Sequence, residues 1–520
     1  MKVHQIDFEE TKRFSPIFLD YINNKKELQN FYAYRPEVES FKNAIESRNF
    51  DHSKREVLFT ILEKQYREIS IKPAVSENIR ALKKDNTFTV TTGHQLNIFT
   101  GPLFFIYKIV TVINMAKMLK ETYPAYNFVP VYWMASEDHD FDEINNFKLF
   151  GQKYTWQSRQ NGAVGDMDTS SIKTLLEQIP EIPDFFSAGY TEQKNLAEAT
   201  RYIVDHLFGD QGLVILDAND KELKKEFQSI IKDDIFHNNA HILAQKASGQ
   251  LENLEYKSQV FPRPINFFFM EYGVRERIEE EGEKFIVMNS SLSLSKSEIE
   301  SLIDEHPEKF SPNVVMRPVY QEVILPNLAY VGGPAEVAYW LQLKGIFDHY
   351  QVPFPILFPR LFVLILAKTI SKKMEKLNLS NLDLFNDFNE IKEKLLFSDR
   401  EAVHDLDDQL AEIQRAFESI KSKANDIDQS LEGFVMSEFK KVEKGVENIQ
   451  KRLKKAEEQK EDVKINQLKS ILDKLFPDGN PQEREDNFLN FYINNPSFIN
   501  ELIALLDPFV LKYNILSEDV

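Results

Sequence analysis

The sequence predicts an α/β protein with a parallel-sheet core, connecting insertions within that core, and a C-terminal antiparallel helical coiled coil. Three observations support this fold class. Short β-branched segments flank a long helical one, heptad-spaced apolar residues occur late in the chain, and the chain has 520 residues. One hydrophobic core stops growing well below that length, so we expect two or more domains.

The sheet is indicated first by residues 87–92, TFTVTT, which are rich in β-branched side chains and end at Gly93. Pro102 suits the first turn of a helix, and the residues up to 123 continue at helical spacing. Residues 128–133, FVPVYW, have the character of a second strand. Strand, helix and strand within about 45 residues form a βαβ unit, which requires a parallel sheet. Residues 212–217 and 354–358 are further strand candidates.

The coiled coil is indicated by apolar residues that recur in steps of three and four between charged positions. The first run consists of Val403, Leu406, Leu410, Ile413, Phe417, Ile420, Ala424, Ile427, Leu431 and Phe434. A second run begins at Val435, and the phase changes near Gly433. We expect an antiparallel hairpin with arms of about 50 Å rather than one rod, because more helical sequence follows.

We divide the chain into seven segments on this basis. Residues 1–150 hold N-terminal helices and the first half of the core, 151–205 a first connecting insertion, 206–240 a continuation of the core, 241–310 a second connecting insertion, 311–385 the second half of the core, 386–475 the coiled-coil hairpin, and 476–520 C-terminal helices that pack back on the core.

Composition excludes several classes of function. The chain carries 63 basic and 82 acidic residues, a formal net charge of -19, which opposes binding to nucleic acids and anionic membranes. It has no cysteine, so disulfides and thiolate metal sites are excluded. The most apolar stretch, residues 355–367, is too short to span a bilayer and is interrupted by Pro359 and Arg360. We expect a cytoplasmic protein with no nucleic-acid or membrane partner.

The first chemical motif is the turn that follows the first predicted strand. Glycine allows close backbone approach, a helix start offers N–H groups to an anion, and histidine can donate or transfer a proton. The turn lacks the P-loop spacing, and its polar residues could instead only cap the helix. The candidate residues are Gly93, His94, Gln95, Asn97, Thr100, Gly101 and, on the helix, Lys108.

The second motif follows the next predicted strand, so it should lie at the same carboxyl edge of the sheet, where open α/β folds bind ligands. Five carboxylates surround a histidine here, which suits a substrate amine or a divalent cation, or simply a helix N-terminus. Their spacing matches no established metal motif, and we assign no metal. The candidates are Ser136, Glu137, Asp138 and His139.

A third motif spans residues 310–344. Arg317 stands in a predicted extended run, and two glycines with a proline open a helix, which indicates a second anion site or a simple tight turn. The candidates are Arg317, Gln321, Asn327, Gly332, Gly333, Glu336 and Tyr339. A Ser-rich segment around Lys296 has a weaker resemblance to a phosphate loop and more often marks a surface linker.

Taken together, these motifs resemble the bacillithiol biosynthesis cysteine-adding enzyme family, BshC. The similarity is carried by TTGHQLNIFTGPLF, PVYWMASEDHDFDE, SPNVVMRPVYQEVILPNLAYVGGPAEVAYWLQLK, FPR at 358–360 and LFPDGNPQERE from Leu475. The five motifs are in the family's order and cover nearly the full length.

The resemblance implies a Rossmann-like core, similar to class I aminoacyl-tRNA synthetases, and dimerisation through the coiled coil. It implies a ligase that adds cysteine to glucosaminyl-malate in the last step of bacillithiol synthesis. ATP with Mg²⁺ would be the cosubstrate, without a prosthetic group. Acyl phosphate chemistry or a purely regulatory nucleotide remain alternatives within enzymes. A coiled-coil metabolite-binding or interaction protein with a degenerate core is the alternative outside them.

The resemblance also suggests roles for the candidate residues. His94, Gln95, Asp138 and His139 would be catalytic, with His94 stabilising the phosphates of ATP. Arg317 or Arg360 would hold the malate carboxylates. The chain lacks a KMSKS-like loop, and residues 295–297 match that motif only in part. This departure from the class I pattern counts against the adenylation route.

Overall fold

The central sheet of the computed structural model, which describes residues 1–179, 181–397 and 405–518, contains five parallel strands. They are β1 (Thr87–His94), β2 (Asn127–Met134), β3 (Val214–Asp217), β4 (Asn327–Gly332) and β5 (Ile356–Pro359). Their spatial order is β5-β4-β1-β2-β3, with β1 in the centre. This is the Rossmann strand order, so the predicted fold class is confirmed.

The strands form where the sequence is β-branched or aromatic and where both faces can be buried. Phe88 and Val90 of β1 are buried, and so are the four threonines of the strand, as expected for a strand covered by helices on both faces. Four of the five strands coincide with predicted ones. β4 was not predicted, because its six residues follow Pro326 and end at a glycine pair that we interpreted as part of a turn.

The strand order reverses between β1 and β4. From β1 it continues to β2 and β3 on one side of the sheet, and β4 and β5 lie on the other. A crevice therefore opens beyond the carboxyl ends of β1 and β4, the position at which open α/β sheets bind ligands.

Three helices border this crevice or lie beside it. Helix α1 (Phe104–Thr122) follows β1 and packs on β1 and β2, α2 (Arg317–Ile324) precedes β4, and α3 (Pro334–Trp340) follows β4. Residue 317 was predicted to be extended. It begins α2 instead, because Pro318 occupies the first turn of that helix, where proline is tolerated.

The remaining helices surround the sheet. Before β1 these are Pro16–Ile22, Ser40–Ser47, His52–Gln65 and Pro73–Ala81; between β2 and β4, Phe141–Ile144, Lys173–Leu176, Asp184–Glu192, Leu196–Phe208, Lys221–Lys225, Gln228–His237, Asn239–Asn253 and Lys296–Glu305; after α3, Lys344–His349, Lys368–Lys376, Phe388–Phe397, Gln482–Glu485, Leu489–Tyr492 and Phe498–Leu505.

Three further sheets lie outside the central one. An antiparallel sheet is formed by Ser293–Ser295, Lys284–Val287, Val274–Glu281, Phe267–Glu271 and Phe310–Pro312, in that order, and Asn146–Leu149 pairs with Gln152–Thr155. In the third sheet, Tyr513–Ser517 lies between Lys2–Ile6 and Phe362–Leu366. Both terminal segments, predicted to be helical, therefore also contribute a strand. Residues 355–367, the most apolar stretch of the chain, contain the two strands Ile356–Pro359 and Phe362–Leu366.

The C-terminal hairpin consists of α4 (Asp407–Ile427) and α5 (Leu431–Lys460), followed by α6 (Asp462–Leu475). Phe417 and Phe439 meet between α4 and α5, with ring centroids 5.4 Å apart. The turn lies at residues 428–430, slightly before the predicted phase change, and α5 with its 30 residues is about 45 Å long. Val403, the first residue of the predicted seam, lies outside the described residues.

No helix in the described part of the chain is long and apolar enough to cross a membrane.

A buried polar network occupies the amino edge of the sheet, opposite the crevice. The Asn327 amide donates to Glu322 at 2.6 Å and accepts a hydrogen bond from the Thr91 hydroxyl at 2.8 Å. The Arg48 guanidinium lies 3.6 Å from Glu322. Burial raises the pKa of Glu322 to about 7, although Arg48 and Asn327 oppose that shift.

Glu322→Gln should flatten the pH dependence of stability. The raised pKa means that the folded state holds a proton more tightly than the unfolded chain, where the ordinary value is 4.5. The free energy of unfolding of the parent should therefore fall, by on the order of 1–3 kcal/mol relative to the variant, as pH rises from about 5 to about 8. Urea unfolding across this range measures the difference. Glu447→Gln, at an exposed position of α5, is the control, and parallel curves for parent and Glu322→Gln would contradict the shift.

Candidate active site

A cleft of about 480 Å³ lies at the carboxyl ends of β1, β2 and β4, at the crevice between β1 and β4. Its walls come from both halves of the core and from the second insertion. The lining residues are Gly93, His94, Gln95, Phe104, Lys108, Trp133, Ala135, Asp138, His139, Asp140, Phe268, Arg275, Asn313, Val314, Arg317, Pro318, Gln321, Tyr330, Glu336, Tyr339 and Trp340. This size is typical of small-molecule sites.

A larger cavity of about 1120 Å³ lies at the opposite, amino edge of the sheet, where Asp85 and Pro353 precede β1 and β5. Parallel sheets bind ligands at their carboxyl edge, where the connecting loops present polar groups. The smaller cleft also contains most of the residues that the sequence motifs single out. We therefore assign the candidate active site to the smaller cleft.

His94 ends β1 and borders the cleft. Its ring stacks on Phe105 at 5.1 Å and meets Phe104 edge-on at 5.3 Å. Burial, with the nearby charges of Lys108 and Arg360, lowers the pKa of His94 well below its usual value. The ring is therefore neutral at ordinary pH, and it can offer an N–H group without carrying a charge.

A buried ion pair joins the two sides of the crevice. Lys108 Nζ on α1 lies 2.6 Å from Glu336 Oε2 on α3 and donates to the Gly93 carbonyl at 2.9 Å. Glu336 also accepts from the Gly333 N–H at 2.8 Å and the Tyr330 hydroxyl at 2.6 Å.

The charges of this pair are set by burial and by mutual contact. Burial lowers the pKa of Lys108, and Glu336 partly offsets that effect. Burial alone would raise the pKa of Glu336, but Lys108, the Gly333 N–H and Tyr330 hold it below its usual value. Gly332 is closely packed, since a Cβ there would lie 3.0 Å from Glu336 Cβ and 3.1 Å from Tyr330, so that these neighbours would have to shift.

Asp138 lies at the centre of a second charged group. Arg275 approaches its carboxylate to 3.6 Å and Arg317 to 3.7 Å, and Gln95 donates to it at 3.4 Å. Burial would raise the pKa of Asp138, but Arg317, Arg275 and the His139 amide together hold it below its usual value. The Asp138 carboxylate is therefore ionised.

His139 is fixed by Arg275. The guanidinium donates to His139 Nδ1 at 2.5 Å, so in a neutral ring the proton sits on Nε2. Burial lowers the pKa of Arg275 to about 10, partly offset by Asp138, and its side chain also lies over the Phe268 ring at 4.0 Å. Arg317 is less enclosed, with 24% of its side chain exposed, and can still reach a ligand.

Ser136 and Glu137 do not line the cleft. The Ser136 hydroxyl donates to Asp217 at 2.5 Å, and Glu137 forms a buried ion pair with Lys224, which also donates to the Phe310 carbonyl at 2.8 Å. Both residues therefore anchor the loop after β2 and hold Asp138 and His139 in place.

Several other predicted binding residues also lie outside the cleft. Asn327 belongs to the network at the amino edge. Arg360, expected to bind a carboxylate, already forms two hydrogen bonds of 2.6 and 2.9 Å with Glu483. Gly333 does not line the cleft, and its N–H group donates to the Glu336 carboxylate. Asn97, Thr100 and Gly101 form the turn beneath His94, where a Cβ on Gly101 would lie only 2.6 Å from Asn97 Cβ.

Two expected anion-binding elements are occupied by the protein itself. The Leu103 N–H at the start of α1 donates to the Asp486 carbonyl at 2.8 Å, so that end of the helix is partly satisfied. Ser295 caps the helix Lys296–Glu305 through a capping box with Glu298, which accounts for the Ser-rich segment without a ligand.

The structure adds residues that the sequence did not reveal. Arg275 belongs to a hairpin of the second insertion with an unremarkable charged sequence, and no motif marks it. Tyr330 belongs to the unpredicted strand β4. Among the described residues, no cluster of three or more histidine, aspartate or glutamate side chains could hold a metal ion.

The assembled groups can orient polar substrates and stabilise negative charge. Asp138 can accept hydrogen bonds from an amine, while Arg317 and the N–H group of the neutral His94 ring can contact an anion. None of the three central groups is suited to removing a proton: Asp138 is a weak base, the lone pair of His139 Nδ1 is taken by Arg275, and His94 resists protonation.

Comparisons with known proteins agree with this architecture. The model of the N-terminal Rossmann-like domain of bacillithiol biosynthesis BshC matches residues 1–361, and the model of its C-terminal coiled-coil domain matches residues 363–518. A protein of Flavobacterium psychrophilum named "Putative cysteine ligase BshC" is 41% identical, with 98% of each chain covered. Proteins of the same name from Cytophaga hutchinsonii and Bacillus cereus are 39% and 28% identical, covering 97% and 92% of this chain and 97% and 93% of their own. With both domain models matched in order and relatives of about 40% identity over nearly the whole length, the chain belongs to the BshC family of bacillithiol biosynthesis.

Proposed function

We propose that this chain is a ligase that joins L-cysteine to glucosaminyl-malate in the last step of bacillithiol synthesis. Its family and the names of its relatives support the reaction class. The observation that carries the proposal is the convergence of His94, Asp138, Arg275 and Arg317 on one cleft at the crevice between β1 and β4. An interaction protein needs no such convergence of polar groups.

We further propose that ATP, with Mg²⁺, activates the cysteine carboxyl group. The carboxylate would attack the α-phosphorus, forming cysteinyl adenylate and releasing pyrophosphate. The glucosamine nitrogen would then attack the acyl carbon, forming the amide and releasing AMP and a proton. Such a step belongs in the cytoplasm, where ATP is made.

The charge of each side chain indicates its role in this scheme. Asp138, ionised and central, would orient a substrate amine, and Gln95 would support it. Neutral His94 would donate a hydrogen bond to phosphate oxygens, and Arg317 would hold a malate carboxylate. Since no central group is a strong base, the chemistry would depend mainly on positioning and charge stabilisation.

The direct test is to incubate the protein with cysteine, glucosaminyl-malate and Mg-ATP and to analyse the mixture by mass spectrometry. Product together with AMP would support the adenylate scheme. Product with ADP would retain the ligase and replace the adenylate by an acyl phosphate. Failure of each substrate to bind would favour the interaction-protein alternative.

His94→Phe should lower kcat by about 100-fold or more, on the order expected for one lost charge-stabilising donor. Phenylalanine is preferable to alanine because the ring packs between Phe104 and Phe105, and alanine would leave a cavity. The measurement is steady-state kinetics together with the free energy of unfolding. His306→Phe makes the same exchange at an exposed site and should change neither. Unchanged turnover in His94→Phe would remove His94 from the active site.

Arg317→Lys should weaken binding of glucosaminyl-malate by roughly 10-fold. Lysine keeps the positive charge but cannot form the bidentate pair of hydrogen bonds that a guanidinium makes with a carboxylate. Isothermal titration calorimetry measures this, and the affinity for cysteine in the same variant is the internal control. An equal loss for both substrates would indicate a general disturbance of the cleft instead of a carboxylate contact.

We also propose that the protein is a homodimer formed through the coiled coil. The hairpin leaves large apolar side chains exposed that α4 and α5 do not cover, including Ile427 at 82%, Phe434 at 64% and Ile449 at 54%. A second copy would bury such residues.

Deleting residues 406–453 should therefore give a monomer, and Ile449→Glu should weaken the dimer because it places a charge in the apolar surface. Sedimentation equilibrium measures the association constant. Lys444→Glu, at an exposed charged position of the same helix, is the control and should leave it nearly unchanged. A deletion variant that still sediments as a dimer would locate the interface elsewhere.

A further inference from the structure

A third, much smaller cavity also borders His94. The space that the centre of a water molecule can occupy within it is about 10 Å³. Three buried polar atoms of its lining residues have no hydrogen-bond partner within the protein: His94 Nε2, Asn97 Oδ1 and Thr100 Oγ1. Thr100 is only 7% exposed.

The backbone here is strained. Phe99, Thr100 and Gly101 have φ values of 52°, 68° and 62°, and a β-branched residue such as Thr100 is rarely found in that region. The turn is held by Asn487, whose amide donates to the carbonyls of Phe99 and Gly101 at 2.8 and 2.7 Å. Valine would fit as well as threonine, so packing alone does not account for the buried hydroxyl.

The chemistry of the three atoms fits one ligand. The Asn97 Nδ2 group donates to the Glu143 carbonyl at 3.1 Å, which leaves Oδ1 as a pure acceptor. The Thr100 hydroxyl can donate or accept, and so can the neutral ring of His94. A cavity of roughly 10–15 Å³ with two to four polar partners is the size and character of a site for a single water molecule.

We propose that this cavity binds one water molecule that bridges His94 Nε2, Asn97 Oδ1 and Thr100 Oγ1, which makes Asn97 and Thr100 positioning residues for His94. The water donates one hydrogen to Asn97, and its remaining hydrogen and lone pairs serve Thr100 and His94. By bonding Nε2, it fixes the orientation of the His94 ring. The water site itself is independent of the proposed function, and only its effect on turnover rests on that function.

The first test is a high-resolution crystal structure of the parent protein. We expect electron density for one water within hydrogen-bonding distance of all three atoms. A cavity without density, or a reoriented Asn97 that satisfies His94 directly, would overturn the proposal.

The second test compares Thr100→Val with Thr100→Ser, using ¹⁵N-histidine NMR of the full-length protein. Both valine and threonine are β-branched, so the backbone strain is matched, whereas serine keeps the hydroxyl. The ¹⁵N shifts of His94 should change in Thr100→Val and remain parental in Thr100→Ser. Identical shifts in all three proteins would show that Thr100 does not act on His94. If Thr100→Val does not fold, the crystal structure of the parent decides.

Turnover provides a third readout. If the proposed ligase activity holds, Thr100→Val should lower kcat by about 10-fold with little change in KM, and Thr100→Ser should restore it. If the protein shows no ligase activity at all, the crystallographic and NMR results still decide the water site. Activity that is lost equally in the serine and valine variants would contradict a role for the hydroxyl.

Discussion

The ion pair between Lys108 and Glu336 links the two helices that follow the paired strands β1 and β4, where the two halves of the core meet. One partner comes from the helix after β1 and the other from the helix after β4, so the pair spans the point where the strand order reverses. Removing Glu336 would leave the charge of the buried Lys108 uncompensated, which destabilises a protein by about 3–5 kcal/mol when the remaining charge stays buried. Through Gly93 and Tyr330 the same pair also fixes the floor of the cleft. The site and the sheet are therefore stabilised by the same contacts.

The parts that could be predicted from the sequence are those governed by local rules. β1 and β2 follow from their β-branched and aromatic runs, and the candidate turns follow from the fact that parallel strands end at one edge. His94, Gln95, Asp138, His139, Arg317 and Glu336 do line the cleft together. Their chemical roles stay predictions. β4 was not predicted because six residues between a proline and a glycine pair give too weak a strand pattern.

The parts that could not be predicted depend on distant segments. Arg275 reaches His139 from an insertion 136 residues further along the chain. Glu483 neutralises Arg360 across 123 residues, and no local pattern announces either partner. Asn327 has the composition of a ligand-binding residue, yet it lies at the amino end of its strand. Only the pairing of β4 with β1 shows that its amide forms hydrogen bonds with other buried residues of the core.

The small sheet that joins the two ends of the chain has a consequence for biosynthesis. Lys2–Ile6 pairs only with Tyr513–Ser517 among the described strands, which in turn pairs with Phe362–Leu366. During translation, Lys2–Ile6 leaves the ribosome long before its neighbour and cannot pair until Tyr513–Ser517 has been made. Closure of this sheet is therefore a later folding event than formation of the Rossmann-like core, because it requires two segments that are far apart in the sequence to meet.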